Sequence, residues 1–157
     1  MRTSLAGKTI EAGVTLIERI IVVAIVGMIA GITYPAVTTG LEAVHLSSSS
    51  DDVASFINAA LNRVERRQEV IEMEISVKDR TIVLHSVEPG FERKLELPDG
   101  ITIVDPDPNA TYQFILMPGG TAPRVGIELK NRKGRRRIVR LDPMTGIPRI
   151  EIPAEKS

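Results

Sequence analysis

The chain has 157 residues, with twenty basic side chains against twenty acidic ones, which bounds it to one modest domain with a real core once any membrane segment is set aside. Aromatics make up only 3% and tryptophan is absent, so stacking platforms for single-stranded nucleic acid or sugars are not built in. Cysteine is absent too, which excludes a disulfide framework, a thiolate zinc site and a cysteine nucleophile, and leaves the fold to packing alone.

The chain opens on a polar stretch, MRTSLAGKTIEAG (1–13), with Arg2 and Lys8 against Glu11. Such a basic flank stays on the cytoplasmic side of a membrane, and the rest of the chain then faces outward. An apolar run follows, with no charge from Ile20 to Val37. Counted from Val14 it predicts about 24 residues of helix, roughly 36 Å at ~1.5 Å each, enough to cross a bilayer. A secretory signal peptide fits this poorly. Its apolar region is shorter and ends in a small-x-small cleavage site. Here the small residue, Gly13, precedes the run, and residues 34–36 read YPA. A plain anchor accounts for the run but not for Glu18, because an ionised carboxylate costs up to ~2.5–3.5 kcal/mol at mid-bilayer and less near the edge. Arg19 is adjacent, but successive helical residues point about 100° apart and pair poorly. The partner of Glu18 is expected in another chain.

The stretch GVTLIERIIVVAIVGMIAGITYP (13–35) resembles the prepilin signature of type IV pilins and type II secretion pseudopilins. The resemblance covers roughly the first quarter of the chain and implies several roles. A membrane prepilin peptidase cuts after Gly13 and methylates the new amino terminus, Val14. Glu18 falls on the family's glutamate, which meets the charged amino terminus of a neighbouring subunit. Two charges that are each costly in lipid become acceptable as a pair, and the pair sets the register of assembly. Gly27 and Pro35 also fall on family positions. Arg19 departs from the pattern, where an aliphatic residue is usual; it either snorkels to the headgroups or disturbs filament packing. Pro35 removes a helix hydrogen bond, so a kink is expected there. Gly27, Gly31 and Gly40 weaken the same region, while Gly27 and Gly31 also form a GxxxG packing surface.

Beyond Gly40, the residues Ala43, Leu46, Ser50, Val53, Ile57, Ala60 and Val64 recur at steps of three and four, which is one apolar helical face. Arg63, Arg66 and Arg67 lie off it. A helix is expected to about residue 67, its stripe buried on a sheet. SSSSDD (47–52) is its weak point, since serine and aspartate compete for backbone hydrogen bonds. A bend or restart is expected there, with Asp51 and Asp52 as helix-start charges; a flexible linker is the alternative.

From residue 69 the reading is β. Strands are predicted over 69–77, 81–87, 91–97, 101–105, 111–117, 125–131, 135–141 and 147–152, separated by the turn sequences KDR, EPG, PDG, DPDPN, PGGTAPR, RKG and DPMTG. A long helix followed by short strands is an α+β layout, the helix covering an antiparallel sheet. The expected divisions are a leader (1–13), a transmembrane and assembly helix (14–38), an amphipathic helix (39–68) and a globular β domain (69–157). The stretch PGGTAPRVGIELKNRKGRRRIVRLDPMTGIPRIEI resembles the end of the GspH/FimT group of minor pseudopilins and pilins. In that group a Gly-containing loop leads to a strand, a basic hairpin, a further strand and a Thr-Gly turn.

No catalytic constellation appears: GxSxG, a Walker loop and HExxH are all missing from the sequence. No cofactor or metal is expected. His45 and His85 stand far apart and read as partly exposed side chains. Asp105, Asp107 and Asn109 offer oxygens for calcium, but they lack the length and bidentate glutamate of an EF-hand loop, and the prolines favour a rigid turn. The one charge cluster is Arg124, Lys130, Arg132, Lys133, Arg135, Arg136, Arg137 and Arg140, interrupted only by Glu128. It reads either as a solvated hairpin that blunts edge pairing or as a site for an anionic partner, with Arg132, Lys133, Arg135, Arg136 and Arg137 at its centre. Nucleic acid is the less favoured partner, because strand alternation puts Arg135 and Arg137 on the face of Val139 and Leu141.

The expected protein is therefore a single-pass inner-membrane subunit with a periplasmic C-terminal domain. Its resemblance implies a minor pseudopilin in a hetero-oligomeric filament of a type II secretion system, with the prepilin peptidase and other pseudopilins as partners, and no enzyme activity. A minor type IV pilin for adhesion or DNA uptake is the alternative.

Overall fold

A computed structural model describes residues 15–86 and 90–153, with the side chains of 35–39 outside the description. The expected cleavage site at Gly13 and Val14 lies outside the described residues. The chain divides into two compact units, Met1–Thr38 and Thr39–Ser157. The helix α1, Leu16–Arg67, contributes to both.

In the first unit α1 begins with a cap. Thr15 Oγ1 accepts the Glu18 N–H at 3.3 Å, and the Thr15 carbonyl accepts the Arg19 N–H at 3.2 Å. Thr15 and Glu18 thus stand as N-cap and N3, the spacing of a capping box. The following stretch, Leu16–Tyr34, is 19 residues long with a mean hydropathy of 2.2, and none of it is buried. It is long and apolar enough to cross a membrane. The backbone is helical through Pro35, and the side chain that was expected to bend it there lies outside the description.

In the second unit α1 presents one stripe. Leu46, Ser50, Val53, Ile57, Ala60 and Val64 are buried, and Ala43 is half-buried. The serine run does not break the helix, contrary to the expected bend or restart. Ser50 Oγ donates to the Leu46 carbonyl at 2.7 Å, so its hydroxyl is satisfied within the helix. Ser49 and Ser50 lie buried in the packed face. Asp51 and Asp52 are exposed mid-helix residues and not helix-start charges. The helix stops at Gln68, whose φ of 53° is left-handed and whose side-chain amide donates to the Glu65 carbonyl at 2.7 Å.

Eight strands follow: β1 (Ile71–Ser76), β2 (Thr81–Ser86), β3 (Glu92–Glu96), β4 (Ile101–Ile103), β5 (Thr111–Leu116), β6 (Gly126–Asn131), β7 (Arg136–Leu141) and β8 (Pro148–Glu151). Each lies inside one of the predicted runs, trimmed by up to three residues in all. The single sheet expected from the sequence is corrected to two four-stranded antiparallel sheets, ordered β3-β2-β1-β5 and β4-β6-β7-β8. Alternation within a strand tells which side chains face inward, and it is silent on which strand lies alongside. Here β5 returns to β1, pairing Leu116 with Ile71 and Phe114 with Met73. The short β4 instead pairs with β6, Ile103 opposite Leu129.

One hydrophobic cluster joins all three layers. It contains Val53, Ile57 and Val64 from α1, Ile71, Met73, Ile82, Leu84 and Leu116 from the first sheet, and Ile101, Ile127, Leu129, Val139 and Leu141 from the second.

The serine packing makes a prediction. Ser50 is fully buried and bonded only within its own helix, so Ser50→Ala is expected to change stability by less than about 1 kcal/mol. Ser50→Leu forces extra volume into a filled core and is expected to cost about 1–3 kcal/mol. Denaturant midpoints of the two variants check this; equal effects would contradict the packing described.

Candidate functional site

Three regions carry the residues singled out by the sequence. The first is the start of α1. Glu18 lies one turn into an apolar helix whose side chains are exposed. Among the described residues neither Glu18 nor Arg19 has an ion-pair partner. The backbone N–H of Glu18 is satisfied by Thr15 Oγ1, and its carboxylate has no hydrogen-bond partner among the described residues. The carboxylate sits in the first turn, where the helix dipole favours negative charge.

The second region is the β6–β7 hairpin. The eight cations do not form one patch. Arg124 and Arg140 lie at the end of the hairpin away from its turn, Arg140 being in register with Gly126. Lys130, Arg132, Lys133, Arg135, Arg136 and Arg137 collect at the turn. The strand alternation holds: Val139 and Leu141 are buried, Arg137 is half-buried on their side, and Arg136 and Arg140 are exposed on the other. Several charges are already matched. Arg136 Nη1 meets Glu128 Oε1 at 3.0 Å, Arg140 Nε meets Glu151 Oε2 at 3.6 Å, and Arg149 Nη2 meets Asp142 Oδ2 at 3.2 Å. Among the described residues Arg132, Lys133, Arg135 and Arg137 have no such partner.

The turn itself is held by Asn131, which the sequence reading passed over. It is only 2% exposed. Its Oδ1 accepts the N–H of Lys133 at 3.1 Å and of Arg135 at 2.9 Å, while its Nδ2 donates to the Glu42 carbonyl at 3.2 Å. One side chain thus closes the turn and fastens it to α1. The only signal for it was an Asn before a Gly-containing turn, which marks an Asx-turn. Gly100 completes the fit: its φ is +93°, and a Cβ there would stand 2.9 Å from Arg132 Nε.

The third region is the pair of aspartate turns. Asp105 Oδ1 accepts the Asp107 N–H, and Asp107 Oδ1 accepts the Asn109 N–H, each at 2.9 Å. The three oxygen-bearing residues therefore build a turn, the use that their prolines favour. Tyr112 Oη donates to Asp105 Oδ2 at 2.9 Å. That bond, helped by desolvation and the charges of Asp105 and Asp107, raises the phenol's pKa. Asp142 Oδ1 accepts from Met144 N at 2.9 Å and Thr145 N at 3.2 Å. These two backbone donors, with a smaller contribution from Arg149, hold its carboxyl below the ordinary aspartate range.

Two clefts lie in the second unit. One, of about 460 Å³, runs between Asn58–Glu65 of α1 and the loops at 117–123 and 143–147. The other, of about 430 Å³, is lined by Arg63, Arg66, Arg67, Arg93 and Phe91. Arg63 is committed there, paired with Glu69 and stacked 3.9 Å from the Phe91 ring centroid. His85 is half-buried and meets Glu72 at 3.0 Å across the strand pair, while His45 is exposed on α1. Among the described residues no three His, Asp or Glu side chains group to hold a metal.

Comparison of the chain with protein-family models, with curated proteins and with solved structures finds no match.

The Asp142 turn gives a pH prediction. A carboxyl whose folded pKa is depressed contributes stability above its unfolded pKa, and that contribution is lost as pH falls through the folded value. The last hairpin is therefore expected to loosen only on strong acidification, and Asp142→Ala to loosen it at neutral pH. A carboxyl chemical-shift titration checks this. Asp142 is expected to titrate below free aspartate, and a midpoint at or above that of free aspartate would contradict the geometry.

Proposed function

We propose that this chain is a structural subunit of a short pilus-like filament, a minor pseudopilin of the GspH/FimT type. It is anchored in the inner membrane by Leu16–Tyr34, holds its sheet domain in the periplasm, and performs no catalysis. The observation that carries the proposal is Glu18: a carboxylate in an exposed apolar helix with no charged partner among the described residues.

The cap adds a physical reason. If the prepilin peptidase cuts after Gly13, the new ammonium of Val14 stands just ahead of the helix start at Leu16. That is the positive end of the helix dipole, where a second positive charge is unfavourable. A carboxylate from a neighbouring subunit relieves both that ammonium and its own isolation in lipid. Pairing between copies then fixes the axial register of the filament.

A minor type IV pilin for adhesion or DNA uptake would use the same N-terminal features. The unmatched cations at the β6–β7 turn are the observation that favours it. Against it, Arg136 and Arg140, which would extend a basic track along β7, are already paired with Glu128 and Glu151.

Two outcomes are expected. In cells with an active prepilin peptidase the intact mass should correspond to a chain beginning at methylated Val14, and Gly13→Leu should block cutting without blocking insertion. An uncut chain, or one beginning after Pro35, would contradict this. Glu18→Leu should leave insertion intact, since it removes a charge from lipid, and should abolish crosslinking to neighbouring pseudopilins. Unchanged crosslinking would refute pairing between subunits and leave the carboxylate to its own helix terminus.

A further inference from the structure

We propose that the β6–β7 turn is a docking surface for anionic phospholipid headgroups. The inference rests on Leu16–Tyr34 crossing a membrane.

Position comes first. Asn131 Nδ2 is bonded to the carbonyl of Glu42 at 3.2 Å, so the turn is fastened to the start of the second unit's helix. Glu42 follows Tyr34, the last residue of the apolar stretch, by eight residues (42 − 34). Eight residues reach at most ~28 Å when fully extended. The length of chain therefore limits how far this turn can lie from the end of the apolar stretch. The headgroup layer there is itself roughly 5–8 Å deep.

Charge comes second. Arg132, Lys133 and Arg135 are exposed at the turn, Arg137 is half-buried beside it, and none has a carboxylate at ion-pair distance among the described residues. The acidic neighbours do not cancel them. Asp99, beside Gly100, is engaged by Arg80 at 3.2 Å. Glu42 supplies a single carboxylate against four cations.

Pre-organisation comes third. Asn131 fixes the Lys133 and Arg135 backbone, and Arg132 lies against Gly100, whose missing Cβ makes room for it. The cations are held on a closed turn and not on a loose tail, so less ordering opposes binding. The surface is also compact and carries no aromatic side chain. Point charges on a short turn suit a plane of phosphates. A duplex would need a longer track, and a single strand would need stacking.

The test uses the full chain in bilayers. The native sequence has no cysteine, so Thr102→Cys on β4, exposed and in register with Lys130, accepts one fluorophore next to the turn. Energy transfer is then measured to headgroup-labelled lipid, in vesicles of phosphatidylcholine alone and of equal parts phosphatidylcholine and phosphatidylglycerol. Flotation of the chain with both kinds of vesicle is checked first.

Transfer is expected to rise in the anionic vesicles and to fall back at about 1 M salt, where screening acts within ~3 Å. Each basic residue near an anionic surface changes partitioning by about fivefold. Replacing Arg132, Lys133, Arg135 and Arg137 together by Gln is therefore expected to shift docking by a factor on the order of a hundred or more and to abolish the rise. Replacing the paired Arg136 and Arg140 by Gln is expected to preserve it, which separates the unpaired cations of the turn from positive charge elsewhere on β7. Equal transfer in the two vesicles, or a rise that survives the fourfold change, overturns the proposal. So does duplex DNA retained by these four residues while anionic lipid leaves transfer unchanged. A chain that does not float removes the span, and the docking surface with it, before the turn is measured.

Discussion

Both sheets are built against one stripe of one helix. Leu46, Val53, Ile57, Ala60 and Val64 form the shared wall of a single cluster, and among the described residues neither sheet has another helix to bury its inner face. Four strands with one apolar face are unstable in water until that face is covered. The stripe covers two such faces, so side chains that look modest on the helix carry an unusual share of the fold. The buried serines follow from the same constraint. A small hydroxyl that bonds its own helix, as Ser50 does, can be buried in that stripe without an unsatisfied polar group.

Only the second half of α1 has this wall. Among the described residues none of Leu16–Tyr34 is buried, and water is a poor solvent for its side chains. A bilayer satisfies the aliphatic surface. It does not satisfy Glu18, which has no charged partner among the described residues. The two requirements, lipid for the span and a charge for the glutamate, are what connect this fold to the proposed filament.

Much of this was legible in the chain. The apolar run, the stripe at steps of three and four, and all eight strands follow from periodicity and turn chemistry, because those signals are local. What failed was non-local. The pairing of β4 with β6 and of β5 with β1 depends on partners far along the sequence, so one sheet was expected and two are found. Ser49 and Ser50 were read by their intrinsic preference for caps, and tertiary packing overrode it. The eight cations were read as one patch because they are consecutive. Only the register of β6 with β7 shows that Arg140 is remote from the turn, and only the folded strands show that Glu128 and Glu151 pair with two of the eight, Arg136 and Arg140. For Asn131 the local turn was signalled but its bond to the carbonyl of residue 42 was not, because that partner is far along the chain.

The shared wall is tested most directly by native-state hydrogen exchange on the full chain in bilayers, comparing the native sequence with Ile57→Ala. Removing that side chain is expected to cost about 2–5 kcal/mol. If both sheets depend on the stripe, the slowest amides of β1–β2 and of β6–β7 should lose the same protection together, while those of Leu16–Tyr34 keep theirs. Loss confined to one sheet, with the other unchanged, would contradict the account.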